Sequence, residues 1–141
     1  MLRMVGQQDA VDLTQQTFLQ VFRKIHQFSG KSEFATWLYR VAVNEALQHR
    51  RRKQSRPSQP LQFEPANETN DTDVYEKKEA IEHALAKIEP ELRAIFLLRE
   101  VDQLSYAQLS DVLEIPAGTV ASRLNRARRE LRELLSGPDA R

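Results

Sequence analysis

The chain has 141 residues, with 21 Lys and Arg against 20 Asp and Glu and no cysteine. That length allows one domain or two small ones, and the missing thiols exclude disulfides and thiolate metal sites. No apolar run reaches the length of a membrane span and no signal peptide opens the chain, so a cytoplasmic protein without membrane insertion is expected. Four glycines and few β-branched runs point to an all-α fold.

The first half reads as helices. From Asp9 to Gln27, Val11, Phe18, Phe22 and Ile25 form one helical stripe, expected to be the core face. Asp12, Gln15 and Gln16 are expected on the opposite, exposed side. Phe28-Ser-Gly-Lys31 breaks this helix. Ser32 can cap a second one, in which Phe34, Trp37, Leu38 and Val41 share a face. It runs into His49-Arg-Arg-Arg-Lys53. Cations in a last turn suit the helix dipole, but four in a row exceed what a cap needs and suggest a phosphate contact.

Residues 54–73 are polar and contain Pro57, Pro60 and Pro65. Such a stretch cannot bury a core and reads as a flexible linker. It divides the chain into a domain at 1–53 and another at 74–137. Beyond it, Ile81, Leu85 and Ile88 mark one face. Pro90 starts a new helix, with Leu92, Ile95 and Phe96 on its apolar side. Each half is only about fifty residues, and units that small have marginal cores.

Residues 105–132 carry the sharpest signal. Ser105 and Gln108 fit an S-x-x-Q capping box, and Tyr106, Leu109 and Val112 give the short helix an apolar side. After a tight turn, Val120, Leu124, Ala127, Leu131 and Leu134 follow the helical period and face a core. The other face carries Ser122, Arg123, Asn125, Arg126 and Arg129, side chains that bond base edges and phosphates. Two short helices across a turn, the second basic, place a helix in the DNA major groove. A packed hairpin with a solvated basic face is the plain alternative. With the two preceding helices the motif makes a four-helix unit.

Charge follows the same division. Residues 1–53 hold nine cations and four anions, and 54–100 hold six and ten. Residues 101–141 hold six of each, yet five of those cations lie between Arg123 and Arg132. Two basic patches flanking an acidic middle suggest two contacts with a polyanion. A charge-dappled surface would produce the same overall balance. No Gly-rich phosphate loop, nucleophilic triad or metal-ligand spacing occurs, and His26, His49 and His83 lie far apart. Neither an enzyme nor a cofactor is expected.

Three segments together resemble a bacterial sigma factor of the sigma-70 family, in the extracytoplasmic-function (ECF) group. Asp9-Ala-Val-Asp-Leu-Thr-Gln-Gln-Thr-Phe18 resembles the family's polymerase-binding helix. Phe28 through Asn44, with Trp37 inside it, resembles its promoter-melting loop and helix. Leu104-Ser-Tyr through Arg128 resembles its helix-turn-helix. The resemblance covers residues 3–136 and implies a dissociable subunit that directs core RNA polymerase to promoters and helps to open them. Core polymerase, promoter DNA and an anti-sigma factor are the implied partners.

By this resemblance, Asp9, Asp12, Gln15 and Gln16 bind polymerase. Lys31, Trp37, Asn44, Arg50 and Arg51 handle the minus-ten element, although Trp37, which shares a face with Phe34 and Val41, reads more readily as a core residue than as a stacking one. Thr119, Ala121, Ser122, Arg123, Asn125 and Arg126 read the minus-thirty-five element. Ser122 and Asn125 are the expected base contacts, and Arg123 and Arg126 the phosphate clamps, unless Arg123 pairs with a carboxylate of its own domain.

Three departures stand out. The family's helix before Asp9 is reduced to Met1–Gly6, which is expected to leave apolar faces exposed and the N-terminal half loosely packed or completed by a partner. Glu114 stands where the turn usually carries glycine, and Ala121 where a basic residue is frequent. A conventional operator-binding regulator would need the helix-turn-helix but neither N-terminal segment. A shortened sigma factor that only sequesters a partner is the third reading.

Overall fold

The computed structural model describes residues 7–54 and 72–137. They form six α-helices: α1 (Gln7–Lys24), α2 (Phe34–Gln54), α3 (Thr72–Lys87), α4 (Pro90–Glu100), α5 (Tyr106–Leu113) and α6 (Ala117–Ser136). A 3₁₀ turn, Ile25–Gln27, follows α1. No strand occurs among the described residues, in agreement with the all-α expectation. The predicted linker falls almost wholly at 55–71, outside the described residues, as do residues 1–6.

The helices form where expected, but α1 turns a different face inward. Its buried stripe is Ala10, Leu13 and Thr17, while Val11, Phe18, Phe22 and Ile25 are exposed, Phe22 to 76 %. Two stripes of one helix share the same period, so periodicity alone does not choose between them. Small Ala10 lets α1 approach α2 closely, and the Thr17 hydroxyl is satisfied by donating to the Leu13 carbonyl at 2.7 Å. Helix α2 begins at Phe34, with the Trp37 amide donating to the Glu33 carbonyl, so Ser32 lies one residue before the cap. Phe28, Phe34 and Trp37 cluster, with ring centroids 5.5–5.7 Å apart.

Helix α2 is buried on more than one side, at Val41, Val43, Ala46 and Leu47 and also at Glu45 and Arg50. It lies between α1 on one side and α4 and α5 on the other. The halves therefore share one core. Leu13, Val43, Ala46 and Leu47 are continuous with Leu85, Leu92, Ile95, Leu109, Val112, Val120 and Leu124. Pooling apolar surface in this way relieves the marginal burial of two fifty-residue units. Outside this core, Ile81 and Leu134 are largely exposed, against expectation.

Helix α4 is buried nearly all round, from Leu92 to Leu98, and carries one buried cation. The Arg93 Nε donates to the Leu85 carbonyl at 2.5 Å, just past the last carbonyls that helix α3 satisfies internally. Burial, with Arg50 nearby, pushes the Arg93 guanidinium down to about 10, and Glu82 opposes the shift. It stays charged at neutral pH.

Candidate polymerase and promoter interfaces

The helix-turn-helix forms from its local signals. The Gln108 amide donates to Ser105 Oγ at 3.1 Å, and the Ser105 amide donates to Gln108 Oε1 at 2.8 Å, completing the capping box. Arg99 lies over the Tyr106 ring, 5.2 Å from its centroid, and Tyr106 is exposed rather than part of the core. Helix α5 ends on Glu114, in the left-handed region at φ 55°. A side chain there costs about 1 kcal/mol. The turn is closed by the Ile115 amide on the Ser110 carbonyl and by Ser110 Oγ donating to the Ile115 carbonyl. Pro116 caps α6, its carbonyl receiving the Thr119 and Val120 amides.

Val120, Leu124, Ala127 and Leu131 seat α6 in the core. Its outer face presents Ser122, Asn125, Arg126 and Arg129 to solvent, flanked by half-buried Thr119, Ala121 and Arg123. The Ser122 hydroxyl donates to the Thr119 carbonyl at 3.1 Å. Intramolecular pairing falls on Arg126 rather than Arg123. Arg126 bonds Glu130 Oε1 at 2.8 Å and Glu89 Oε1 at 3.1 Å, and these carboxylates, Glu130 foremost, hold it more firmly protonated. Arg128 pairs with Glu100 at 2.6 Å. Among the described residues, Arg123 and Arg129 make no ion pair.

The N-terminal candidates separate into free and engaged groups. Asp12, Gln15 and Gln16 are exposed on α1. Exposed Val11 and Phe18 are their neighbours rather than a buried opposite face. Asp9 is engaged: it is ion-paired to Lys53 and lies 3.4 Å from His49 Nε2. The Lys53 bond holds its carboxyl below the usual range against an opposing effect of burial. Lys31, just after Gly30 at φ 74°, and Asn44 are both exposed. Trp37 is buried in the aromatic cluster. Arg50 is 8 % exposed, between α1 and α4, and burial lowers its pKa against the pull of Asp9. In this packing neither Trp37 nor Arg50 faces a nucleic acid. Arg51 is exposed, with Nη2 bonded to Glu91 Oε1 at 3.0 Å.

Two residues of α2 escaped the sequence reading. The Arg40 Nε donates to the Asp111 carbonyl at 3.0 Å and lies 3.4 Å from Glu114 Oε1. Tyr39 hydrogen-bonds Asp102, and burial followed by that carboxylate pushes its hydroxyl pKa up. Both contacts cross between the halves, and no local pattern announces a pairing so distant in the chain.

A capped helix-turn-helix with a polar, cationic outer face, packed beside a basic two-helix unit, defines an all-α helix-turn-helix protein. Residues 1–56 match the family model "Sigma-70 region 2", and residues 78–131 match "Sigma-70, region 4". The chain is 34 % identical over 138 residues to the ECF RNA polymerase sigma factor SigE of Mycolicibacterium smegmatis, covering 93 % of this chain and 53 % of that one. It is 30 % identical over 140 residues to the ECF RNA polymerase sigma-E factor of Haemophilus influenzae, covering 89 % and 74 %. It thus spans about half the length of the first relative and about three quarters of the second. A similar fold, at TM-score 0.74 and 23 % identity over 97 % of this chain and 88 % of the other, occurs in the sigma factor RpoE of Bartonella quintana, solved with the anti-sigma factor NepR. The chain belongs to the ECF sigma factors of the sigma-70 family. No helix among the described residues is long and apolar enough to cross a membrane.

Proposed function

We propose that the chain is a dissociable specificity subunit that brings core RNA polymerase to promoters in the cytoplasm and helps to open them. The observation that carries this reading is the α5–α6 unit in one chain with a sigma region 2 match. Ser122 and Asn125 stand on the open face of α6 for base edges, with Thr119 and Ala121 beside them. Arg123 is the readier phosphate ligand, because Arg126 must first leave Glu89 and Glu130. Lys31 and Asn44 are the exposed candidates for the minus-ten element. An amide such as Asn44 can hydrogen-bond the edge of an unstacked base and repay the few kcal/mol that unstacking costs. Asp12, Gln15 and Gln16 form the proposed polymerase contact. The anti-sigma factor in the Bartonella structure suggests a protein of that class as a regulator.

Run-off transcription with purified core polymerase tests the reading. The chain is expected to support initiation from a promoter that core alone does not use. Asp12→Arg is expected to weaken core binding with unchanged helical content, and Asn44→Ala to reduce permanganate-reactive open complex while sparing duplex binding. DNA binding with no polymerase dependence would favour an operator-binding regulator instead.

A further inference from the structure

Helix α1 carries an apolar face that nothing covers among the described residues. Val11, Phe18, Phe22 and Ile25 stand exposed along it, with Leu19 beside them. A contiguous row of large apolar side chains marks a surface that another protein covers. The row has a symmetry of its own. Val11, Phe18 and Ile25 are spaced seven residues apart, so each lies about two turns from the next and Phe18 sits at the midpoint. Turned end over end about Phe18, the face meets itself, with Val11 opposite Ile25 and Phe18 opposite Phe18.

The charges follow the same symmetry. Asp12 is exposed near the start of α1, and Arg23 and Lys24 occupy its last turn. A repeat of about 3.6 residues per turn puts Asp12 and Arg23 on the same flank of the apolar row, about 16 Å apart along the axis. They are too distant to pair within one helix. Among the described residues, Asp12, Arg23 and Lys24 make no ion pair. In an antiparallel pair of α1 helices like flanks meet, so each Asp12 stands opposite Arg23 and Lys24 of the other copy. A parallel pair would set like charges against each other. Two-fold contacts in which one patch meets its own copy are the commonest in homo-oligomers.

We propose that α1 pairs antiparallel with α1 of a second copy of this chain, about a two-fold axis at Phe18, and that this dimer covers the polymerase contact. The occlusion rests on the functional reading above, because Asp12 and Gln15 belong to that contact and flank the paired row. The dimer is then a form of the chain held off polymerase, and polymerase binding takes it apart.

Two helices of 18 residues bury less than about 1,200 Å² together, the range of transient interfaces. Half-dissociation on the order of 10–100 μM is therefore expected in sedimentation equilibrium of the full chain without polymerase. Phe18→Ser is expected to weaken self-association at least about tenfold, since the residue counts twice in the dimer. Asp12→Lys, and Arg23→Glu with Lys24→Glu, are each expected to weaken it about twenty-five-fold, about five-fold for each of the two symmetry-related ion pairs. Mixing these two charge variants restores opposite charges at both ends and is expected to give a heterodimer as tight as the unsubstituted dimer. Far-UV circular dichroism checks that each variant keeps its helices.

A chain that stays monomeric to about 1 mM overturns the dimer and leaves the face to polymerase. Self-association that survives these substitutions, or charge variants that fail to pair when mixed, overturns the antiparallel α1 contact. With core polymerase and the chain above its dimer midpoint, one chain per polymerase is expected. Two chains per polymerase overturn the occlusion. If polymerase binds no chain at all, the functional reading and the occlusion fall together, while sedimentation without polymerase still decides the dimer.

Discussion

Asp9 illustrates how one carboxylate can be claimed by the fold. It ties the first turn of α1 to the last turns of α2 through Lys53 and His49. Its pKa is lowered in the folded chain, so its contribution is complete above the unfolded carboxyl value near 3.9 and is lost as pH falls through the folded value. Asp9→Asn is expected to cost about 1 kcal/mol at pH 7 and almost nothing below the folded pKa, as urea titrations at the two pH values will record. On α6 the two residue types differ in kind. Arg123→Ala is expected to weaken all DNA sequences alike and to lower the salt slope by about one. Asn125→Ala is expected to relax preference at one base pair by about 1–3 kcal/mol. Titrations of a randomised duplex library at several salt concentrations separate the two.

Helix α1 is the element whose orientation the packing reassigns. Its inner stripe, Ala10, Leu13 and Thr17, is short-chained, while its bulkier stripe with Phe18, Leu19 and Phe22 stays open. Leu13→Ala is expected to cost about 2–5 kcal/mol, and Phe22→Ser less than about 0.5 kcal/mol. Chemical denaturation of the two variants gives the order, and the reverse order would place Phe22 in the core. Helix α5 shows the opposite behaviour: its capping box forms as the sequence predicts, and Leu109 and Val112 of its apolar side are buried while Tyr106 stays exposed. Eight residues with both ends defined by local chemistry leave little for the surroundings to change.

At the scale of the molecule, the shared core makes the halves energetically dependent. Arg50 and Arg93 are both buried near the meeting of α2 and α4, where their like charges oppose that packing. The N-terminal half leans on α4 and α5, while the apolar faces expected to be exposed on α1, with Phe18, Leu19 and Phe22, are exposed. Trp37 reports on the N-terminal half, and far-UV circular dichroism reports on all six helices. In urea the two signals are expected to change together in one transition. A separate early loss of the Trp37 signal would mean that the halves unfold independently.

The amino-acid order was sufficient for the helices themselves, the capping box at Ser105 and Gln108, the strained turn at Glu114 and the exposed polar face of α6. These features depend on groups within about one helical turn of each other, so short-range spacing specifies them. It was also sufficient for the family, because three motifs in a set order across a polar stretch are specific together. Which stripe of α1 is buried, why Arg50 is enclosed and why Arg40 meets Glu114 depended on the packing of α2 between α1 and the C-terminal helices. Burial is a property of what surrounds a side chain, and here the surroundings come from residues far away in the sequence. A basic run reads identically whether its cations face phosphate, solvent or the carboxylates of another helix, and only the assembled fold distinguishes Arg50 from Lys31.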